Sequence, residues 1–233
     1  MMNYKQERPI IELSTVIQYE GMYIGIPHIL IQFSGCPLSC VFCDFSFEND
    51  HKKKNYTLEE IETYLSKNEQ IKHVLITGGS PTLHPPLLQE ICLLASHYKK
   101  FTTIETEGSK FVSTCADFIS LSLKLSNSTP TKNSVSKEIY QRHEKLRKNY
   151  DAMYELITKH EDYQLKPRIS TQENINELIK LQEKLKIPNH KIYLTVECIT
   201  KEQEKKLNVI FYKMCIEEGY NFSPGFQFNF VNK

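Results

Sequence analysis

The sequence predicts an α/β protein with a mostly parallel sheet, folded either as an open doubly wound sheet or as a partial (β/α) barrel. Three observations carry this expectation. Short apolar runs rich in β-branched residues alternate with helix-length segments along the chain. Those segments are long enough to cross back over a sheet, which favours parallel neighbours over hairpins. Of 233 residues, 40% are hydrophobic and 24% charged, so the chain can bury a core of its own. No internal repeat divides it, and a single domain over residues 1–233 is expected.

The elements follow in order. Residues 10–17 and 28–33 (HILIQF) read as strands. Thr57 followed by Glu60 is a capping box, and Leu58, Ile61 and Leu65 form the apolar stripe of the helix it opens. Residues 71–77 (IKHVLIT) read as a buried strand that stops at Gly78-Gly79. A helix over 86–98 precedes strands at 101–105 (FTTIE) and 117–123 (DFISLSL). The Ser/Thr/Asn-rich stretch 125–136 is a loop, followed by one long polar helix over 138–160. YQLKPRI (163–169) is a strand, 172–186 a helix, 191–197 a strand, 201–218 a helix and 226–231 (FQFNFV) a final strand. Ser170 with Glu173 and Thr200 with Gln203 predict two further capping boxes. In either architecture, ligands gather at the carboxyl ends of the strands.

Charge narrows the function classes. Lys and Arg number 29 against 28 Asp and Glu, a formal charge of +1, which argues against a broad phosphate-binding face and a nucleic-acid partner. Lys52–Lys54 read as a solvated loop tip. No apolar run approaches the length of a membrane span, and the N-terminal residues lack the apolar centre of a signal peptide, so a cytoplasmic protein is expected.

Seven cysteines, an odd number, argue against a disulfide scaffold. Cys92, Cys115, Cys198 and Cys215 are scattered in apolar or helical contexts and read as packing residues or incidental thiols. Cys36, Cys40 and Cys43 instead fall in one short loop directly after a predicted strand. Three converging thiolates repel one another and call for a metal or a cluster. Structural zinc prefers four ligands in two pairs, and no second pair follows at the right distance. A zinc site completed by His28 or His84 stays open as the alternative. A 4Fe–4S cluster held by three cysteines leaves one iron without a protein ligand, free to bind substrate or cofactor.

The Cys36-x-x-x-Cys40-x-x-Cys43 loop, with Phe42 before its third cysteine, resembles the signature of the radical S-adenosylmethionine (SAM) enzymes. Gly78-Gly79-Ser80-Pro81 looks like that superfamily's GGEP motif, with serine where glutamate is typical. Glu105-Thr106-Glu107-Gly108 resembles its ET(N/E)G segment, and Ser122-Leu123-Lys124 its SPK motif. These segments fall in order at successive predicted strand ends. The resemblance implies a partial (β/α) barrel with a 4Fe–4S cluster on Cys36, Cys40 and Cys43. It implies SAM on the open iron, held by Phe42, Gly78, Gly79, Ser80, Glu105, Ser122 and Lys124. The radical is then carried by SAM, and no side chain is expected to act as the catalyst.

A longer stretch is similar to one family within that group, the 7-carboxy-7-deazaguanine synthases. The likeness comprises Gln18-Tyr19-Glu20-Gly21, Gly25, Pro27, Ser34-Gly35-Cys36 and Gly219 to Pro224, with Val231-Asn232-Lys233 at the end. It implies conversion of 6-carboxytetrahydropterin to 7-carboxy-7-deazaguanine, a precursor of queuosine in tRNA. It also implies a magnesium ion, a flavodoxin- or ferredoxin-type reductant and a homodimer. Gln18, Glu20, Gln32 and Gln227 would face the pterin-like substrate, whose edge offers paired donors and acceptors.

The chain departs from that family at several positions. Tyr19 replaces a glycine, and Gln32 stands where an arginine is expected, which removes a bidentate carboxylate partner. Phe45 occupies the position of a magnesium-binding Ser/Thr, so Ser46 serves as a ligand only if the loop shifts by one residue. Gly225 and Gln227 replace an arginine and a histidine. Lys124 or Lys166 could supply a lost positive charge. The rival readings are an activase of a glycyl-radical protein, an enzyme of the same chemistry acting on another pterin or purine, and a degenerate iron–sulfur or zinc protein without activity.

Overall fold

A computed structural model of the chain describes residues 6–43, 55–160, 162–197 and 200–223. The predicted strand at 226–231, Ser46, Gln227, Cys198 and Lys52–Lys54 lie outside the described residues.

A short ribbon pairs β1 (Glu7–Arg8) antiparallel with β4 (Tyr56–Thr57). The main sheet has six strands in the order β2-β3-β5-β6-β7-β8. They are β2 (Ile10–Ile17), β3 (Pro27–Phe33), β5 (His73–Gly78), β6 (Phe101–Thr106), β7 (Phe118–Leu121) and β8 (Tyr163–Leu165). Strand β2 pairs antiparallel with β3, and every later pair in the sheet is parallel. A second sheet, all parallel, orders β11 (Asn221–Phe222), β10 (Tyr193–Val196) and β9 (Arg168–Ile169). A parallel bridge between Leu165 and Ile192 joins the two, so the wall continues around a partial (β/α) barrel.

Local sequence explains most elements. Helix α1 (Leu58–Lys67) starts at the Thr57–Glu60 capping box and buries Leu58, Ile61 and Leu65, each worth roughly 1.5–3 kcal/mol. Helix α2 (Pro85–His97) opens on two prolines, which suit a first turn whose N–H groups have no helical partner. These helices cover the β2–β6 half over a core that includes Phe33, Ile76, Leu88 and Ile91. A second cluster, including Met153, Leu178, Leu194 and Phe211, packs the other half beneath α4 (Tyr150–Lys159), α5 (Gln172–Leu185) and α6 (Lys201–Glu218).

Three expectations change. The helix predicted over 138–160 is two helices, α3 (Lys137–Leu146) and α4. Asn149 breaks it, because its non-helical backbone lets its side chain cap the Ala152 N–H. The capping box assigned to Ser170 and Glu173 is formed by Thr171 and Asn174, since the helix starts one residue later. The predicted strand 163–169 changes partner midway, pairing with β7 and then with β10. Pro167 sits at the switch, where a missing N–H interrupts any ladder.

Candidate functional site

The carboxyl ends of β3, β5, β6 and β7 converge on the cysteine loop. Phe33 and Gly78 are in register, and the Gly79 N–H donates to the Phe33 carbonyl at 2.9 Å. Gly78 has φ +115°, and a Cβ there would overlap the Phe33 carbonyl oxygen. A Cβ on Gly79 would overlap the Gly35 carbonyl. The glycine turn therefore touches the loop's root backbone to backbone, one residue before Cys36.

The loop is anchored twice more. The Val41 N–H donates to the Ser128 carbonyl at 3.1 Å, and the Ser39 N–H donates to Nδ1 of His143 at 3.1 Å. His143, on α3, is fully buried, with its Nε2 3.2 Å from Ser128 Oγ. Since Nδ1 accepts, Nε2 carries the proton. Cys36 and Cys40 are half-buried and Cys43 is exposed. Burial, followed by the Glu107 charge, pushes the Cys36 thiol up to about 12. Burial pushes Cys40 up to about 11 against the opposing pull of Lys124. Without a bound cation these thiols keep their protons, so metal binding here releases them. Among the described residues, no three His, Cys, Asp or Glu side chains sit close enough to grip a single metal ion. The donor set of three thiols fits a three-cysteine cluster.

Ser80 is completely buried, and its Oγ donates to Glu107 Oε1 at 2.9 Å. Ser109 Oγ donates to the same oxygen. Just after β7, Lys124 Nζ donates to Ser122 Oγ at 2.7 Å and lies 5.9 Å from the centre of the Phe42 ring. Arg168 lies 5.8 Å from the same ring and pairs with Glu197 at 3.1 Å.

Inside the barrel stands a buried ionic cluster. Lys166 Nζ pairs with Glu20 Oε1 at 2.5 Å and with Glu105 Oε1 at 3.0 Å. Burial pushes the Glu20 carboxyl up, but the Lys166 and Arg168 charges outweigh it and hold it below the usual range. Burial pulls on the Lys166 ammonium in the other direction, and the Glu105 and Glu20 charges hold it protonated. Burial raises the Tyr19 phenol to about 12, with Glu20 and Glu105 adding to the rise.

Tyr19 and Glu20 arrive on the 18–26 loop, which packs across the amino end of the barrel, while Glu105 comes from β6 and Lys166 from just after β8. Tyr23 packs against His73, Phe101 and Phe118 at the starts of β5, β6 and β7. The Gly21 N–H donates to Ser223 Oγ and the Met22 N–H to Gln164 Oε1, both at 2.7 Å. A Cβ on Gly21 would lie 2.6 Å from Gln164 Nε2, and φ is +80°, so glycine suits the position twice over.

The structure thus draws together Cys36, Cys40, Phe42, Gly78, Gly79, Ser80, Ser122 and Lys124 at one end, with Glu20 and Glu105 nearby inside. Gln18 turns its amide to the Glu20 carbonyl at 3.1 Å, supporting the loop. Gln32 lies on β3, opposite Thr77. Of the two lysines considered as replacement cations, Lys166 is taken up by two carboxylates, while Lys124 has only Ser122 as polar partner among the described residues. Sequence reasoning missed the roles of Glu107, His143 and Arg168. Glu107 had a signal, a neutral Ser80 beside a segment with two carboxylates, but His143 in a polar helix had none.

A three-thiol loop at a strand's carboxyl end, seated on a glycine turn in a partial (β/α) barrel, defines a radical SAM protein. Residues 30–172 match the Radical SAM superfamily, and the chain belongs to it. Membership implies a 4Fe–4S cluster and SAM. The chain is 30% identical to the 7-carboxy-7-deazaguanine synthase of Halobacterium salinarum, over 93% of this chain and 87% of that protein. It is 29% identical to the same enzyme of Rhodopirellula baltica, over 90% and 81%. Within the superfamily it belongs to the 7-carboxy-7-deazaguanine synthase family. The fold resembles that of QueE from Escherichia coli, with a TM-score of 0.63 and 21% identity over 92% of both chains. SuiB of Streptococcus suis, bound to S-adenosylmethionine, gives 0.53 and 15% identity over 83% of this chain and 48% of its own. Among the described residues, no helix is long and apolar enough to cross a membrane.

Proposed function

We propose that this enzyme converts 6-carboxytetrahydropterin into 7-carboxy-7-deazaguanine, the precursor step of deazapurine and queuosine synthesis. The observation that carries the reading is the buried Glu20–Lys166–Glu105 cluster inside the barrel, beneath the thiol loop, with Lys124 acting electrostatically on both Glu20 and Cys40. Cys36, Cys40 and Cys43 hold the cluster. Bound together, the cluster and SAM would supply radical chemistry for hydrogen abstraction from the substrate.

The chain's own residues bind and orient. Phe42, Gly78, Gly79, Ser122 and Lys124 hold SAM, with the glycines admitting it close to the backbone and Ser80 supporting the site from the turn. Glu20, kept ionised by Lys166, accepts hydrogen bonds from the N–H edge of the pterin, and Gln32 and Gln227 complete that edge. Glu105 fixes Lys166 from the other side, so the substrate meets a prearranged set of donors and acceptors. Lys124 is the cation available to a substrate carboxylate. The reading includes a magnesium ion near Ser46, a flavodoxin- or ferredoxin-type reductant and a homodimer.

The test is an anaerobic assay of the reconstituted protein with SAM, dithionite and 6-carboxytetrahydropterin, with and without magnesium. Product formation that magnesium enhances is the expected result. 5′-Deoxyadenosine without the deazaguanine overturns the substrate, and no SAM cleavage by a loaded cluster overturns the activity.

A further inference from the structure

Glu107 holds a carboxylate in an unusual state. The residue is 4% exposed, and both hydroxyls that reach it, from Ser80 and Ser109, donate to Oε1. Its Oε2 is buried without a hydrogen-bond partner among the described residues. A buried carboxylate oxygen left bare is costly, and the natural completion is a cationic N–H donor. No lysine or arginine among the described residues pairs with it. Glu107 also acts electrostatically on Cys36 and Cys40, so the bare oxygen belongs to the thiol end of the barrel.

SAM brings two cationic groups to that end. Its sulfonium has no hydrogen to donate, whereas its α-ammonium has three. We propose that Glu107 Oε2 is the anionic partner of the SAM α-ammonium, with Ser80 and Ser109 acting through Oε1 to aim it. The assignment rests on the SAM-dependent reading above. Ser80 at the glycine turn is neutral, and the charge comes instead from the end of β6. The pairing is a charge-assisted hydrogen bond in a buried setting, the stronger class of such bonds. Ser80 holds Glu107 in place and is therefore a positioning residue.

The experiment measures equilibrium binding of SAM, S-adenosylhomocysteine and methylthioadenosine to cluster-loaded protein. S-adenosylhomocysteine carries the ammonium and methylthioadenosine lacks it. Glu107→Gln keeps shape and removes charge, and should weaken SAM and S-adenosylhomocysteine roughly 10- to 100-fold. Methylthioadenosine binding should be unchanged, which a general structural collapse would not allow. The exchange Ser80→Glu with Glu107→Ser conserves volume and charge, and should recover SAM binding to within about tenfold of the parent. Equal SAM binding by parent and Glu107→Gln overturns the assignment while leaving the proposed activity standing. So does parallel loss of methylthioadenosine binding, or an exchange variant that loads its cluster yet binds no better than Glu107→Gln. A parent that loads its cluster and binds no SAM overturns the proposed function and this assignment with it.

Discussion

Gly79 and Gly35 touch backbone to backbone: a side chain on Gly79 would overlap the carbonyl of Gly35, the residue before Cys36. A Cβ has no rotamer with which to escape, and the atom it meets is main chain. The root of the thiol loop is therefore set by the turn at the end of the neighbouring strand.

Gly79→Ala should consequently displace the loop. We expect lower iron per protein after reconstitution and a loss of roughly 1–3 kcal/mol in chemical denaturation, as for other overpacked sites. A variant with full iron content and parental stability would refute the contact's importance.

Cys36→Ala should remove the visible absorption of the cluster and abolish SAM cleavage together. Retention of the chromophore would overturn the ligand assignment.

Lys166 is buried between two carboxylates, so removing it leaves Glu20 charged and unpaired in the barrel. Lys166→Met should cost about 3–5 kcal/mol, the usual penalty for breaking a buried pair. Combining it with Glu20→Gln should recover part of that loss, because the stranded charge is gone. The denaturation midpoints of the three variants check this, and an equally unstable double variant would contradict it.

His143 secures the Ser39 N–H from a helix 104 residues away in sequence. His143→Phe should leave the fold intact but reduce cluster loading, measured by absorbance against circular dichroism. His143→Gln, which offers both an acceptor and a donor, should load more cluster than the phenylalanine variant. Equal loading of all three proteins would argue against the anchor.

Acid should destabilise the fold in two stages. Burial pulls the His28 imidazole from 6.5 down to about 4. Between those values the unfolded chain binds the extra proton, so stability declines as pH falls from 6.5 and this contribution levels off below 4. Glu144 feels burial upward, but hydrogen bonds from Arg147, Lys148 and Thr129 outweigh it and hold its carboxyl at about 2. Its stabilisation is complete above 4.5 and disappears as pH falls from there to about 2. In a pH series of denaturation curves, His28→Gln should flatten the first stage and Glu144→Gln the second. Unchanged slopes would contradict the sign or the source.

The sequence by itself determined what depends on neighbours a few residues apart. Strand and helix periods, the Thr57–Glu60 cap, the Cys36–Cys43 spacing and the Gly78-Gly79 turn are all local, and each was legible in the chain. The tertiary structure decided what depends on barrel closure. Glu20 and Lys166 are 146 residues apart, and Ser80 and Glu107 are 27 apart, each just beyond the end of a different strand. Neither pairing follows from composition, because an exposed glutamate and a buried, paired one look alike in a sequence. The split of the polar helix at Asn149 and the change of strand partner at Pro167 were hidden for a related reason. Both residues permit a break, but only the packing around them makes the break the lower-energy state, since buried polar groups must find partners wherever the fold places them.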